Sequence, residues 1–263
     1  MDEGRRTQSM LSTELRHAID RGELELFYQP QMDVAENRVY GYEPLLRWRH
    51  PRRGLVSAAS FIPIAESSGL IVPIGEWVIQ RACAEAAAWP GDHVVAVNVA
   101  SAQLSSELPR IVHEALLASG LPARRLELEI TESCIIDDQE TTLRIIRQLR
   151  SLGVSIAMDD YGTGYSSLAT LQLFTFDKIK IDRSFVKGAR DNPTSAAIVR
   201  ATIVLARSLG IKTLAEGVEH EDQLEFLRRE GCDVVQGYLF SPPRPPHELG
   251  LAPAPMSADS KAA

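Results

Sequence analysis

The chain has 263 residues, 44% of them hydrophobic, enough to bury a large core as one big domain or two small ones. Its net charge of −7 argues against a broad nucleic-acid surface, which needs clustered Lys and Arg, so DNA is not an expected partner. No apolar run approaches ~20 residues, the opening MDEGRRTQSM lacks a signal peptide's apolar stretch, and Cys83, Cys134 and Cys232 read as separate reduced thiols. These features predict no membrane insertion and a cytoplasmic location.

Residues 1–10 read as a flexible N-terminus, 11–250 as one domain, and 251–263 as a disordered Ala/Pro/Ser tail. Leu11, Leu15, Ala18 and Ile19 mark one face of a helix that stops at Gly22. Leu24–Gln29 alternates as a strand, and a short polar connection, Asp33 to Arg38, leads to a second strand over Val39–Trp48. That connection is too short for a parallel crossover, so the pair is expected to be antiparallel. Helices follow over 60–67 and 73–89, then a strand at Val94–Val99 and a helix over 107–119 closed by Gly120. Leu126–Thr131 is a strand, 139–151 a helix, and the apolar run Val154–Met158 a strand that leads into Asp159 and Asp160. Phe176–Asp182 is the sixth strand. A helix capped by Asn192 runs to Gly210, followed by strand Ile211–Glu216, helix His220–Glu230 and strand Asp233–Gln236. Eight strands, with helices in most intervals after the first hairpin, predict an α/β fold: a TIM-like (β/α)8 barrel with an antiparallel first strand. An open doubly wound sheet is the alternative, but no glycine-rich phosphate loop follows any strand.

Barrels of this kind carry their chemistry at the carboxyl ends of the strands. Those ends hold Glu43 and Arg47, Asn98, Glu129 and Glu132, Asp159 and Asp160, Lys180 and Asp182, Glu216 and Glu219, and Gln236. Adjacent carboxylates repel, so Asp159 and Asp160 are either a cap pair for the next helix or part of a metal site. Several acidic strand ends with few cations favour the metal, and hard oxygen donors suit magnesium, manganese or calcium. The donors outnumber what one magnesium uses. A pair of ions ~3.5–4 Å apart is the common device for stabilising both oxygens of a phosphodiester displacement. Lys180 can orient an attacking water, and Arg47 can fork onto a phosphate. Lys178, on the same strand face as Lys180, reads as a salt-bridge partner.

The motifs at these residues resemble the EAL-domain family of cyclic di-GMP phosphodiesterases over about Leu11 to Pro243. They are FYQP (27–30), YEPLLRWRHP (42–51), NVASAQL (98–104), ELEITES (127–133), VSIAMDDYGTGYSS (154–167), FDKIKIDRSFV (176–186), AEGVE (215–219) and VQGYLFSPP (235–243). The resemblance implies Glu43, Asn98, Glu129, Asp159, Asp160 and Glu216 as metal ligands, with Asp159 bridging two ions. It implies Lys180 as the water-orienting catalytic residue, with Glu216 and Glu43 taking part in catalysis. Gln29, Arg47, Asp182, Gln236 and Tyr238 become substrate contacts, Gln236 near the water and Tyr238 near a guanine. Glu132, Gly162, Thr163 and Gly164 belong to the control loop and its anchor. The family implies hydrolysis of cyclic di-GMP to linear pGpG with two Mg²⁺ or Mn²⁺ ions, inhibition by Ca²⁺, and a homodimer through the region flanking the loop.

Three departures stand out: Pro44 replaces the middle Ala of the name motif, Ala100 replaces a Ser, and Tyr161 replaces a Phe. Proline lacks an N–H, so a strand there needs a bulge or an unpaired position, and strand parity points Pro44 away from Glu43. Two other readings remain open at this point. One is a catalytically weak or inactive EAL-type receptor that binds cyclic di-GMP. The other, from spacing alone, is a metal-dependent barrel enzyme in which Lys180 takes a proton from a carbon acid; it gives Arg47 less to do.

Overall fold

The computed structural model describes residues 10–136, 138–162 and 168–251. Almost all of the expected flexible N-terminus and tail, and loop residues Thr163 and Gly164, lie outside the described residues. Leu251, expected to begin the tail, is instead buried, and its N–H bonds to Pro246 O at 2.9 Å.

Eight strands close a barrel. β1 (Leu24–Asp33) and β2 (Arg38–His50) form the predicted antiparallel hairpin, with Gln29 opposite Glu43. β2 then runs parallel to β4 (Val94–Val99), followed around the barrel by β5 (Leu126–Thr131), β6 (Ser155–Tyr161), β7 (Lys178–Ile181), β8 (Lys212–Ala215) and β9 (Val234–Gln236). β9 pairs with β1 antiparallel, which completes the ring. A further strand, β3 (Gly54–Ser57), folds back on β2 outside the ring; the sequence reading assigns no element to these four residues.

Helices cover the barrel: α2 (Ala58–Ser67), α3 (Ile71–Ala87), α4 (Leu108–Ser119), α6 (Gln139–Ser151), α9 (Pro193–Ser208) and α10 (Glu221–Glu230). Their ends follow the predicted chemistry. Asn192 caps α9 by accepting from Thr194 N, and Gly120 takes a left-handed φ of 70° after α4. Three short helices were not read from sequence: α5 (Glu132–Ile136), α7 (Leu168–Leu173) and α8 (Arg183–Gly188). Residues 10–15 form α1, and the expected continuation through Ala18 and Ile19 is instead a series of turns ending at Gly22.

Alternation along the strands sorts the chain into two layers. On β5, Leu126, Leu128 and Ile130 join the apolar cluster shared with Ile79, Val112, Ile145 and Leu149 of the helices. Each such side chain is fully buried, a gain of about 1.5–3 kcal/mol apiece. The alternate residues, Glu127 and Glu129, point the other way into the barrel, where Lys178 Nζ lies 2.6 Å from Glu127 Oε1 as predicted. Trp48 and Trp89 belong to the apolar core, and all three cysteines are buried and free, as separate thiols should be.

Candidate metal centre and catalytic cleft

Each polar residue reaches the top of the barrel for a local reason. Asn98 on β4 is in register with Glu129 on β5, and Thr131 at the end of β5 with Asp159 on β6. Neighbours on a regular strand point to opposite faces, which should separate Asp159 from Asp160. They are not separated: the β6–β7 register shifts between Met158 and Tyr161, and Asp160 takes a left-handed φ of 56°. This irregularity re-aims the second carboxylate, so both line the same cleft. Among the described residues the next helix is α7, from Leu168, so neither carboxylate stands beside its first turn.

Lys180 is the centre of the cluster. Its Nζ lies 2.6 Å from Glu129 Oε2, 2.7 Å from Glu216 Oε1, 3.2 Å from Asp159 Oδ1 and 4.0 Å from Glu43 Oε1. Asn98 Nδ2 donates to Glu43 Oε1 at 2.6 Å, and Gln236 Nε2 donates to the other Glu43 oxygen and to Gln29 Oε1. Burial pulls the Lys180 ammonium down, but Glu129, Glu216, Glu43 and Asp159 together push it well above its usual range. Burial drives the Glu129 carboxyl well up despite Lys180, and pushes Glu216 up to about 7. Asp160 is raised by burial and by Asp159. One ammonium does not neutralise this many acids.

Above the cluster opens a cleft of about 600 Å³. Gln29, Glu43, Arg47, Asp159, Asp160, Lys180, Asp182, Glu216, Gln236 and Tyr238 all line it. Arg47 lies over the Phe27 ring with its guanidinium carbon 5.5 Å from the centroid, and its Nη1 donates to Leu46 O. Asp182 ends the strand face expected for it but lies just past β7; its carboxylate caps α8 by accepting from Ser184 N. Tyr238 is 65% exposed at the rim. Glu129 and Asn98 are not part of the cleft wall: Glu129 is buried beneath Lys180, while Asn98 reaches in from an exposed position. Glu132 is buried at the start of α5, and Gly162 has a φ of 95° with Phe185 close to where a Cβ would stand.

Sequence reading missed two residues here. Arg183 lines the cleft, its stem packed so closely on Gly217 that a Cβ at 217 would sit 2.5 Å from the Arg183 Cβ. Gln31, fully buried on β1, lies inside the barrel against Glu129. Its parity with Gln29 was the available signal.

The donor set fits divalent cations. Oxygens of Asp159, Asp160 and Glu216 lie within 4.8 Å of one another, and Glu43, Glu129 and the amide of Asn98 add hard oxygen donors alongside. Burial and neighbouring acids raise the Glu129, Glu216 and Asp160 carboxyls, and divalent charge would relieve that crowding.

The profile of the EAL domain matches residues 12–243. An uncharacterized signaling protein of Caulobacter vibrioides is 50% identical over 95% of this chain and 31% of its own length. The bifunctional diguanylate cyclase/cyclic di-GMP phosphodiesterase MucR of Pseudomonas aeruginosa is 42% identical over 95% of this chain and 37% of its own. This chain thus spans about a third of the length of the curated relatives it matches. A solved structure of the PaMucR phosphodiesterase in complex with c-di-GMP superposes with a TM-score of 0.88 at 42% identity, covering 91% of this chain and 99% of that one. The chain belongs to the EAL-domain family.

Proposed function

We propose that this domain hydrolyses cyclic di-GMP to linear pGpG in a reaction that requires two Mg²⁺ or Mn²⁺ ions. The observation that carries the reading is the buried Lys180 set among Glu43, Glu129, Asp159 and Glu216 at the floor of a cleft walled by Arg47. The likeness to a phosphodiesterase solved with c-di-GMP supports the substrate. Bound cations supply charge that favours hydroxide over water and offsets the anion formed on phosphorus.

The chain's own residues supply the rest. Lys180, charged because acids surround it, donates to the attacking oxygen and balances charge that develops there. Arg47 forks onto a phosphate, and Gln29, Asp182 and Tyr238 address the nucleotide from the cleft wall. Gln236 orients Glu43 through the amide N–H it already donates. Water adds to one phosphorus, that P–O3′ bond breaks, and the departing ribose oxygen takes a proton, leaving a 5′-phosphate on pGpG. A carbon-acid reaction gives Arg47 no comparable task. We also infer a homodimer through the region flanking residues 163–167, to be checked by sedimentation.

The test is to incubate the pure protein with cyclic di-GMP and Mg²⁺ or Mn²⁺ and to chromatograph the nucleotides. Formation of pGpG supports the reading. Tight binding without pGpG overturns it in favour of a receptor.

A further inference from the structure

We infer that Gln31 is a positioning residue for the proposed metal ligand Glu129, one of two buried amides that donate toward acids of the candidate metal centre. The inference rests on the metal-dependent reading of the site. Gln31 and Gln236 stand directly opposite each other across the β1–β9 ladder, so their side chains share the interior face. Both are buried, at 0% and 4% exposure. Gln236 Nε2 donates to Glu43, and Gln31 Nε2 lies 3.5 Å from Glu129 Oε1, the oxygen that Lys180 leaves unused. Each amide thus addresses one acidic residue of the centre.

The orientation of Gln31 follows from charge. Against a Glu129 ionised by Lys180 or a cation, reversing the amide would aim its carbonyl oxygen at a carboxylate, so the nitrogen faces Glu129. The cost of that arrangement is visible: Gln31 Oε1 and Gln236 Oε1 are both buried without a hydrogen-bond partner among the described residues. Two orphaned acceptors side by side destabilise the fold, and an apolar residue of similar shape at position 31 would avoid one of them. A buried polar group that stabilises nothing by itself is explained if it orients the group it faces. Glu129 needs such help, because its carboxyl must leave Lys180 in part to serve a cation. A donor on Oε1 fixes the plane of the carboxylate and keeps it from rotating as that exchange occurs.

The test measures Mn²⁺ binding directly by calorimetry without substrate, beside thermal unfolding in EDTA, for the wild type, Gln31→Leu and Gln31→Asn. Gln31→Leu should weaken Mn²⁺ binding by about 10-fold or more while the chelated protein melts at the same temperature or higher. Gln31→Asn, whose shorter amide cannot reach Glu129, should show the same loss in affinity. Wild-type affinity in Gln31→Leu overturns the inference, as does a lower melting temperature in EDTA together with unchanged affinity. If the wild type itself binds no Mn²⁺, the metal-dependent reading fails instead.

Discussion

Lys180 combines nearly complete burial, with 1% side-chain exposure, and contact with four acids. Truncation to Ala removes both the positioned donor and the counter-charge, and should lower turnover by about 10²–10⁴-fold, measured as pGpG formed under saturating metal. Glu43→Ala should likewise abolish turnover; full activity in either variant would refute the site. Arg should not rescue position 180, because the planar guanidinium does not fit a cage shaped for a compact ammonium. The pH response belongs to the acids. Glu216, raised from 4.5 to about 7, binds its proton more tightly folded than unfolded. That contribution is fully present below the unfolded value and is lost as pH rises through the folded one. Glu129 is raised in the same direction. The melting temperature of EDTA-treated protein should therefore fall as pH rises between about 5 and about 7, and Mg²⁺ should flatten the slope. An equally steep decline with Mg²⁺ present would show that the ions do not meet these acids.

Among the strands, the interior carries two charged layers, and only the upper one belongs to the cleft. The lower one pairs Glu127 with Lys178, whose ammonium also lies 4.5 Å from the Tyr40 ring centroid. Both side chains are almost wholly buried, so Lys178→Ala strands a carboxylate and should cost about 3–5 kcal/mol in urea unfolding. The double change Glu127→Leu with Lys178→Met should recover most of that loss. Pro44 illustrates how a strand absorbs a missing donor. Tyr28, its partner on β1, uses both its N–H and its C=O on Arg244, so Tyr28 and Pro44 form a non-hydrogen-bonded pair. The Pro44 nitrogen then faces β4, whose ladder with β2 runs at Gly41–Val94 and Tyr42–Val95. The anticipated unpaired position is realised, and Glu43 still points inward. Pro44→Ala should change stability by no more than about 1 kcal/mol and leave metal binding intact. Strand identity and strand-end chemistry were legible because alternation and parity are local. The five- and six-residue helices α5, α7 and α8 were not, since they are too short to show a period. Gln31 was missed for another reason: parity says which way a side chain faces, not what lies across the barrel from it.

For the molecule as a whole, the candidate metal centre ties together parts of the chain that are remote in sequence. Its acids and Asn98 come from β2, β4, β5, β6 and the end of β8, and Gln236 reaches Glu43 from β9 next to the seam where β1 closes the ring. Ions bound there stabilise only the closed barrel, because the unfolded chain does not assemble the donors. Binding the folded state alone adds ~2.7 kcal/mol at a hundredfold excess over Kd, which raises the melting temperature in proportion to the logarithm of metal concentration. Mg²⁺, Mn²⁺ and Ca²⁺ all take oxygen ligands, so each should raise it. They differ in what they leave for chemistry: Ca²⁺ accepts six to eight flexible ligands at about 2.3–2.6 Å, whereas Mg²⁺ demands compact octahedral geometry near 2.0–2.1 Å. Ca²⁺ should therefore stabilise the domain against heat while suppressing pGpG formation in the presence of Mg²⁺. The two readouts are taken on one sample, by differential scanning fluorimetry and nucleotide chromatography. Stabilisation by Ca²⁺ with undiminished turnover would mean that it binds away from Lys180, and the cluster would lose its claim to be the metal centre.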